Sequence, residues 1–249
     1  MRLASALCLA LIAAGCKPAV DDQRLPGARD FPRAYRAVSA ASADASSNEQ
    51  ARDDRREAVT VMDLAAIRPG MTVADIGAGA GYYTVRLADR VGKKGRVLAE
   101  DIDRDALTRL GSRVEAEHLD NVSIKLGTEV DPRLPAGSFD RIFMVHMYHE
   151  VGEPYAFLWR LRPALRQGGQ VIVVDVDRPT NRHGIAPQLL FCEFAAVGFK
   201  LAQFVRKPEL AGYYAQFIAE GPRPEPKSIE PCSQAVINKE LAAGSGKQG

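Results

Sequence analysis

The sequence predicts an α/β fold built on an open, doubly wound and mostly parallel sheet. Three observations lead there. Apolar strand-like runs alternate with helical stretches from about residue 72 to residue 219, the pattern that puts helices on both faces of one sheet. A glycine-rich turn, Gly77-Ala78-Gly79-Ala80-Gly81, sits directly between the first run and a helix. The run over 170–176 is almost continuously apolar, as strands buried on both faces are. At 249 residues the chain can form one sizeable α/β domain with appendages. Apolar residues make up 46%, charged ones 26%, and the formal net charge is +2. No strong field therefore favours nucleic acid, and no Lys/Arg run with interleaved aromatics offers it a surface. No nucleic-acid partner is expected.

The elements follow in order. Arg2 precedes an apolar stretch over 3–14 that ends in Gly15 and Cys16. A short positive region, an apolar core of this length and a small-residue cleavage site describe a secretory signal, too short for a membrane span. The run LIAAGC resembles the lipobox of bacterial lipoproteins, in which the cysteine is lipidated after cleavage, although Ala13 stands where leucine is usual. Residues 1–16 thus read as a signal peptide and Cys16 as a lipid anchor to a membrane surface. The protein would then be a membrane-anchored lipoprotein of the bacterial envelope, or cytoplasmic if the start codon is misassigned. Residues 17–47 lack periodicity and read as a disordered tether with a docking patch around Phe31 and Tyr35. Ser46, Ser47 and Asn48 offer caps for a helix carrying Ala58, Met62 and Ala65 on one face, stopped by Pro69 and Gly70.

Within a domain spanning 48–220, strands are expected over 72–76, 96–102, 122–126, 139–146 and 170–176. Two β-rich runs follow, at 201–205 and 213–219. Helices are expected over 82–91, 105–119 and 187–197, with one marked by Phe157, Leu161 and Leu165 that Pro163 should kink or end. Residues 221–249 turn Pro-rich and then Gly/Ser/Lys-rich, and read as a disordered tail. Cys8 and Cys16 belong to the leader. Cys192 and Cys232 remain, too few for a disulfide framework, and Cys192 reads as a small core residue.

The chemistry gathers at the first turn. Asp75-Ile76-Gly77-Ala78-Gly79-Ala80-Gly81 gives D-x-G-x-G-x-G before a helix, where glycine lets the backbone turn sharply and approach a ligand. Tyr82 occupies the place of the third glycine in the dinucleotide fingerprint, so the spacing favours a ligand without a pyrophosphate. Asp101, at the end of the second strand, can accept hydrogen bonds from ribose hydroxyls. Its neighbours Glu100 and Asp103 read as solvated charges or helix caps.

On these residues the stretch 56–217 resembles the class I (Rossmann-like) S-adenosylmethionine-dependent methyltransferases. VADIGAGAG looks like their motif I and LAEDID like their motif II. GSFDRIFMVHMYHEV looks like their fourth-strand segment, and LRPALRQGGQVIVVD like their Gly-Gly turn and fifth strand. RPTNRHGIAPQLLFCEFAAVGFKL looks like a poorly characterised branch of bacterial predicted methyltransferases. The resemblance implies a Rossmann-like doubly wound sheet, mostly parallel with a C-terminal antiparallel strand. It implies S-adenosylmethionine as cofactor, with Asp75 and the backbone of Gly77, Ala78, Gly79 and Gly81 at the methionine end and Asp101 on the ribose. Where the family usually carries Gly-Asp after the third strand, this chain has Gly127-Thr128-Glu129. Thr128 is taken as the adenine contact, with Glu129 or backbone groups as alternatives. The implied activity is methyl transfer to a small-molecule acceptor, by a monomer or homodimer.

His146 and His149 follow the fourth strand and His183 the fifth, where ligands bind in open α/β sheets. One reading makes a histidine the general base, with His149 foremost and His146 and Glu150 beside it. A second has His146, His149 and Glu150 bind a metal with His183 as fourth ligand, but H-x-x-H-E matches no metal motif, and no metal site is assigned. The side chains could also orient substrate or merely cap the sheet edge. Asp175 and Asp177 either line the pocket or form a solvated turn, and Tyr82 and Tyr83 either pack on the cofactor or are plain helix-start packing. Export would separate the domain from a cytoplasmic cofactor, so the competing function is a membrane-tethered module that binds an adenosine-containing ligand without chemistry.

Overall fold

The structure, a computed structural model, describes residues 24–39 and 49–233. The expected leader with Cys16 and the helix caps Ser46, Ser47 and Asn48 lie outside the described residues. Seven strands, β1 Thr72–Ile76, β2 Arg96–Asp101, β3 Val122–Leu126, β4 Phe139–Val145, β5 Leu165–Asp175, β6 Phe199–Lys207 and β7 Gly212–Ala219, form one sheet in the order β3-β2-β1-β4-β5-β7-β6. The first five run parallel, and β7 enters antiparallel between β5 and β6. This is the expected doubly wound α/β sheet. The chain leaves β1 toward β2 on one side while β4 lies on the other, so a crevice opens between the carboxyl ends of β1 and β4.

Period-2 alternation sorts the side chains onto two cores. Val73, Phe143 and Ile172 face α2 (Glu57–Leu64) and α3 (Tyr82–Val91). Ala74, Ile142 and Val171 face α5 (Pro154–Leu161) and α6 (Pro187–Ala196) on the opposite side. Consecutive buried residues Val171, Ile172, Val173 and Val174 supply both cores from one central strand, which is why that run is continuously apolar. No helix among the described residues is long and apolar enough to cross a membrane.

Several expectations need correction. The single N-terminal helix is two, α1 Glu49–Asp54 and α2, broken before Arg56 at φ +59. The break leaves Arg52 over the Tyr82 ring at 3.8 Å and ion-paired to Glu57 at 2.6 Å. The helix before β5 ends early, as Pro163 led one to expect: it stops at Leu161 and passes into a 3-10 turn, Arg162–Ala164, because Pro163 has no N–H to continue it. Leu165 then opens β5 opposite Phe139 rather than extending the helix.

Residues 24–39, expected as tether, are docked. Ala28 and Phe31 are buried, Phe31 lies 5.5 Å from Trp159, and Arg24 pairs with Glu153 at 2.6 Å. Tyr35, the other half of the expected patch, is 75% exposed. Residues 221–233, expected as tail, also pack on the domain. Trp159 Nε1 donates to Pro224 O at 2.8 Å, Ile229 is buried, and Cys232 is disulfide-bonded to Cys192. Cys192 is therefore half of a crosslink spanning 40 residues of sequence, which two isolated cysteines gave no sign of.

Candidate active site

The turn after β1 places Gly77, Gly79 and Gly81 at φ +66, +55 and +90. A Cβ at Gly77 would meet Met147 at 2.9 Å and one at Gly81 would overlap Leu110, so packing as well as conformation requires glycine there. At Gly79 a Cβ would meet nothing within 4 Å, and the backbone faces open space. Its N–H donates to Asp101 Oδ2 at 2.8 Å, while the Asp103 N–H donates to Asp101 Oδ1 at 2.9 Å. The acid of β2 is thus held against the glycine turn. Ala78 donates its N–H to Glu100 O at 3.0 Å and packs with Ala99 and Leu110.

Asp75 lies beneath the turn, buried, accepting from Thr84 Oγ1 at 2.6 Å. Burial pushes its carboxyl up to about 6 against the pull of that hydrogen bond. Asp103 caps α4 (Arg104–Ala116) by accepting from the Asp105 N–H at 2.8 Å. Glu100 corrects the expectation of a solvated charge or cap. It is 2% exposed and packed against Gly127, and burial followed by the charge of Asp101 pushes it up to about 8. Thr128 is half-buried, with its hydroxyl donating to Asp131 O at 3.1 Å. Glu129 is exposed.

Beyond β4 the chain forms a 3-10 turn, Tyr148–Glu150, that carries His149 into the protein. Its Nδ1 stands 3.0 Å from both oxygens of Asp175, the buried last residue of β5. In a neutral ring this contact favours the tautomer whose Nδ1–H donates to the carboxylate and whose Nε2 is the acceptor. That Nε2 is buried without a hydrogen-bond partner among the described residues and lies 3.8 Å from Glu150 Oε1. The His183 ring stands edge-on to it with centroids 5.8 Å apart. Asp175 is thus neither a solvated turn nor a passive lining residue. The register Val145↔Val174 between β4 and β5 brings the two strand ends level, and that pairing was the missing sequence signal.

His146 belongs elsewhere. At φ +56 it turns away from His149, and its Nε2 lies 3.4 Å from Glu57 Oε1. Glu57 also accepts from the Tyr83 hydroxyl at 3.2 Å. Burial pushes the Glu57 carboxyl up, but His146 and Arg52 outweigh it and hold the group at about 2.

The docked N-terminal segment covers this end of the sheet. Arg36 donates to the carbonyls of His149 at 3.1 Å and Val151 at 2.8 Å, and pairs with Glu193 at 2.8 Å. Glu193 also accepts from the Tyr148 hydroxyl at 2.8 Å. Ser39 Oγ donates to Thr180 O at 2.7 Å and accepts from the His183 N–H at 2.9 Å. The turns bearing His149 and His183 are both anchored by a segment more than a hundred residues away in sequence.

Residues 73–169 match a methyltransferase domain family. Among curated proteins, the chain is 38% identical over 80 residues to a nocamycin O-methyltransferase of Saccharothrix syringae, covering 32% of this chain and 29% of that protein. It is 26% identical over 126 residues to a demethylmenaquinone methyltransferase of Bacillus cereus, covering 51% and 52%. The chain thus spans at most about half the length of these relatives. A solved S-adenosylmethionine-dependent methyltransferase from Aquifex aeolicus superposes with a TM-score of 0.59 at 24% identity, over 65% of this chain and 87% of that one. The seven-stranded sheet is thus of the Rossmann-like kind found in solved methyltransferases, and residues 73–169, which hold the glycine turn and the strand-end acid, are similar to a methyltransferase domain.

Proposed function

We propose that the chain transfers a methyl group from S-adenosylmethionine to a small-molecule acceptor. The observation that carries this reading is the glycine turn closed against Asp101, with clear space at Gly79. A carboxylate at that strand end suits vicinal ribose hydroxyls, and a glycine backbone admits the ligand closely. In this reading Asp101 serves the ribose and Thr128 the adenine. Asp75 and the backbone of Gly77, Ala78, Gly79 and Gly81 serve the methionine end. The cofactor supplies, when bound, a methyl group on a sulfonium.

The chain's own contribution is alignment of the acceptor and removal of its proton. His149 is the group assigned to that proton. Asp175 fixes its tautomer and stabilises the imidazolium that would form, and Glu150 adds negative charge 3.8 Å from Nε2. His146, held by Glu57, shapes the rim rather than moving the proton. The segment 24–39 over this end supports a small acceptor, and the relatives named for nocamycin and demethylmenaquinone point the same way.

The reading includes export and anchoring through Cys16. The form of residues 1–16 supports it, as does the Cys192–Cys232 disulfide, since such crosslinks persist in oxidising compartments. Mass spectrometry of the mature N-terminus tests it; an unmodified Met1 would refute it. Titration calorimetry with S-adenosylmethionine and S-adenosylhomocysteine tests the ligand. Failure of both to bind would sink the reading. Binding without radiolabelled methyl transfer to any pool of small molecules would reduce the protein to a binding module.

A further inference from the structure

The spacing H-x-x-H-E matches no metal motif, yet the fold brings two histidines and a carboxylate to one point. His149 and Glu150 lie on the turn after β4, and His183 lies on the loop after β5. One ligand atom from each falls within 4.8 Å of the others. His149 is prepared for coordination, because both oxygens of the Asp175 carboxylate stand 3.0 Å from its Nδ1. Its Nε2 is buried without a hydrogen-bond partner among the described residues, a costly state for a polar nitrogen unless something occupies it. A carboxylate that grips the far nitrogen of an imidazole is the arrangement that orients ligating histidines.

We propose that His149 Nε2, His183 and a Glu150 oxygen bind one divalent transition-metal ion, with Asp175 as the outer carboxylate. Two imidazoles and one carboxylate suit an ion of the zinc type, whereas magnesium and calcium prefer all-oxygen sites. Ligand atoms around a tetrahedral ion stand ~3.4 Å apart, so separations of up to 4.8 Å must contract by up to about 1.4 Å. His183, exposed on its loop, can supply that movement while Asp175 keeps His149 fixed. His146 takes no part, since its Nε2 is engaged with Glu57. Three protein ligands leave a position for an oxygen of the acceptor.

The ion and the acceptor's proton would use the same Nε2 lone pair. With an ion bound, His149 would be a ligand rather than a base, and the site would suit an acceptor hydroxyl acidic enough to release its proton to water on binding the ion. The binding site itself does not depend on the methyl-transfer reading. The test is calorimetric titration of the chelator-stripped full chain with Zn2+, with Co2+ absorption in the visible as a second readout. One ion per chain is expected, retained against excess Mg2+. His183→Ala and Glu150→Gln should each weaken binding at least ~10-fold, and Asp175→Asn by about 10- to 100-fold. No stoichiometric binding, or binding that His183→Ala leaves intact, would overturn the proposal. S-adenosylhomocysteine affinity measured on the same variants separates the two ideas. If it stays at the parent value, the variants are folded; if the parent itself does not bind it, the methyltransferase reading falls and the metal site stands.

Discussion

Gly79 combines φ +55 with clear space, since a Cβ there would meet no atom within 4 Å. Any side chain at this position therefore meets strain and then whatever ligand fills the space. Gly79→Val should lower affinity for S-adenosylhomocysteine by at least ~100-fold while folding stability falls only by the strain of a left-handed β-branched residue, about 1–2 kcal/mol. Unchanged affinity would refute the cofactor assignment. His149 offers the complementary case. Its Nδ1 is satisfied by Asp175 and its Nε2 by nothing among the described residues, so His149→Ala should cut turnover by about 10²- to 10⁴-fold and leave cofactor affinity unaltered. Loss of cofactor affinity would mark it as structural. The two residues were legible to different degrees for a physical reason. Glycine alternation is local, so D-x-G-x-G-x-G announces its turn. The partner of His149 lies on another strand, and Asp175 becomes its neighbour only once β4 and β5 are in register.

The same division holds for elements. β1, α3 and β3 occur at the bounds that local patterning predicts, because each carries its own periodicity and its own stop. Segments 24–39 and 221–233 escaped that logic. They are held by a few long-range contacts rather than a repeating apolar face, and straps punctuated by proline and charged residues read like a tether. Arg36 and Glu193 make the point: their side chains are 3% and 1% exposed and 157 residues apart. Arg36→Met should destabilise the protein by about 3–5 kcal/mol, since it strands a buried carboxylate. It should also loosen the turn bearing His149. A shift in the urea midpoint worth less than ~1 kcal/mol would show that the segment is not coupled to the domain. At the other end, Cys192→Ser opens a crosslink over 40 residues and should cost about 2–4 kcal/mol, read as a lower denaturation midpoint that reductant reproduces in the parent.

For the whole molecule, two buried carboxyls pull the stability profile in opposite directions. Glu57 is held at about 2 because His146 and Arg52 outweigh its burial. A depressed folded value means that its contribution is complete above the ordinary carboxylate range and is lost as pH falls from about 4.5 toward 2. Glu100 is pushed up to about 8 by burial and then by Asp101. Its folded state favours the proton, so its contribution is complete below about 4.5 and is lost as pH rises through 8. Asp75, pushed up to about 6, acts in the same sense as Glu100 over a narrower range. Each of the larger shifts corresponds to roughly 3–5 kcal/mol between its limits, comparable with a large fraction of a domain's net stability. Maximum stability is therefore expected on the acid side of neutrality, near pH 5, with a decline toward pH 8. Glu100→Gln keeps the shape and removes the ionisation, so it should flatten the limb between pH 5 and 8 and leave the limb below 4.5 intact. Urea midpoints measured from pH 3 to 9 on both proteins decide the matter. An unchanged alkaline limb in the variant would mean that Glu100 is ionised in the folded protein and that its charge is met by a group other than those now around it.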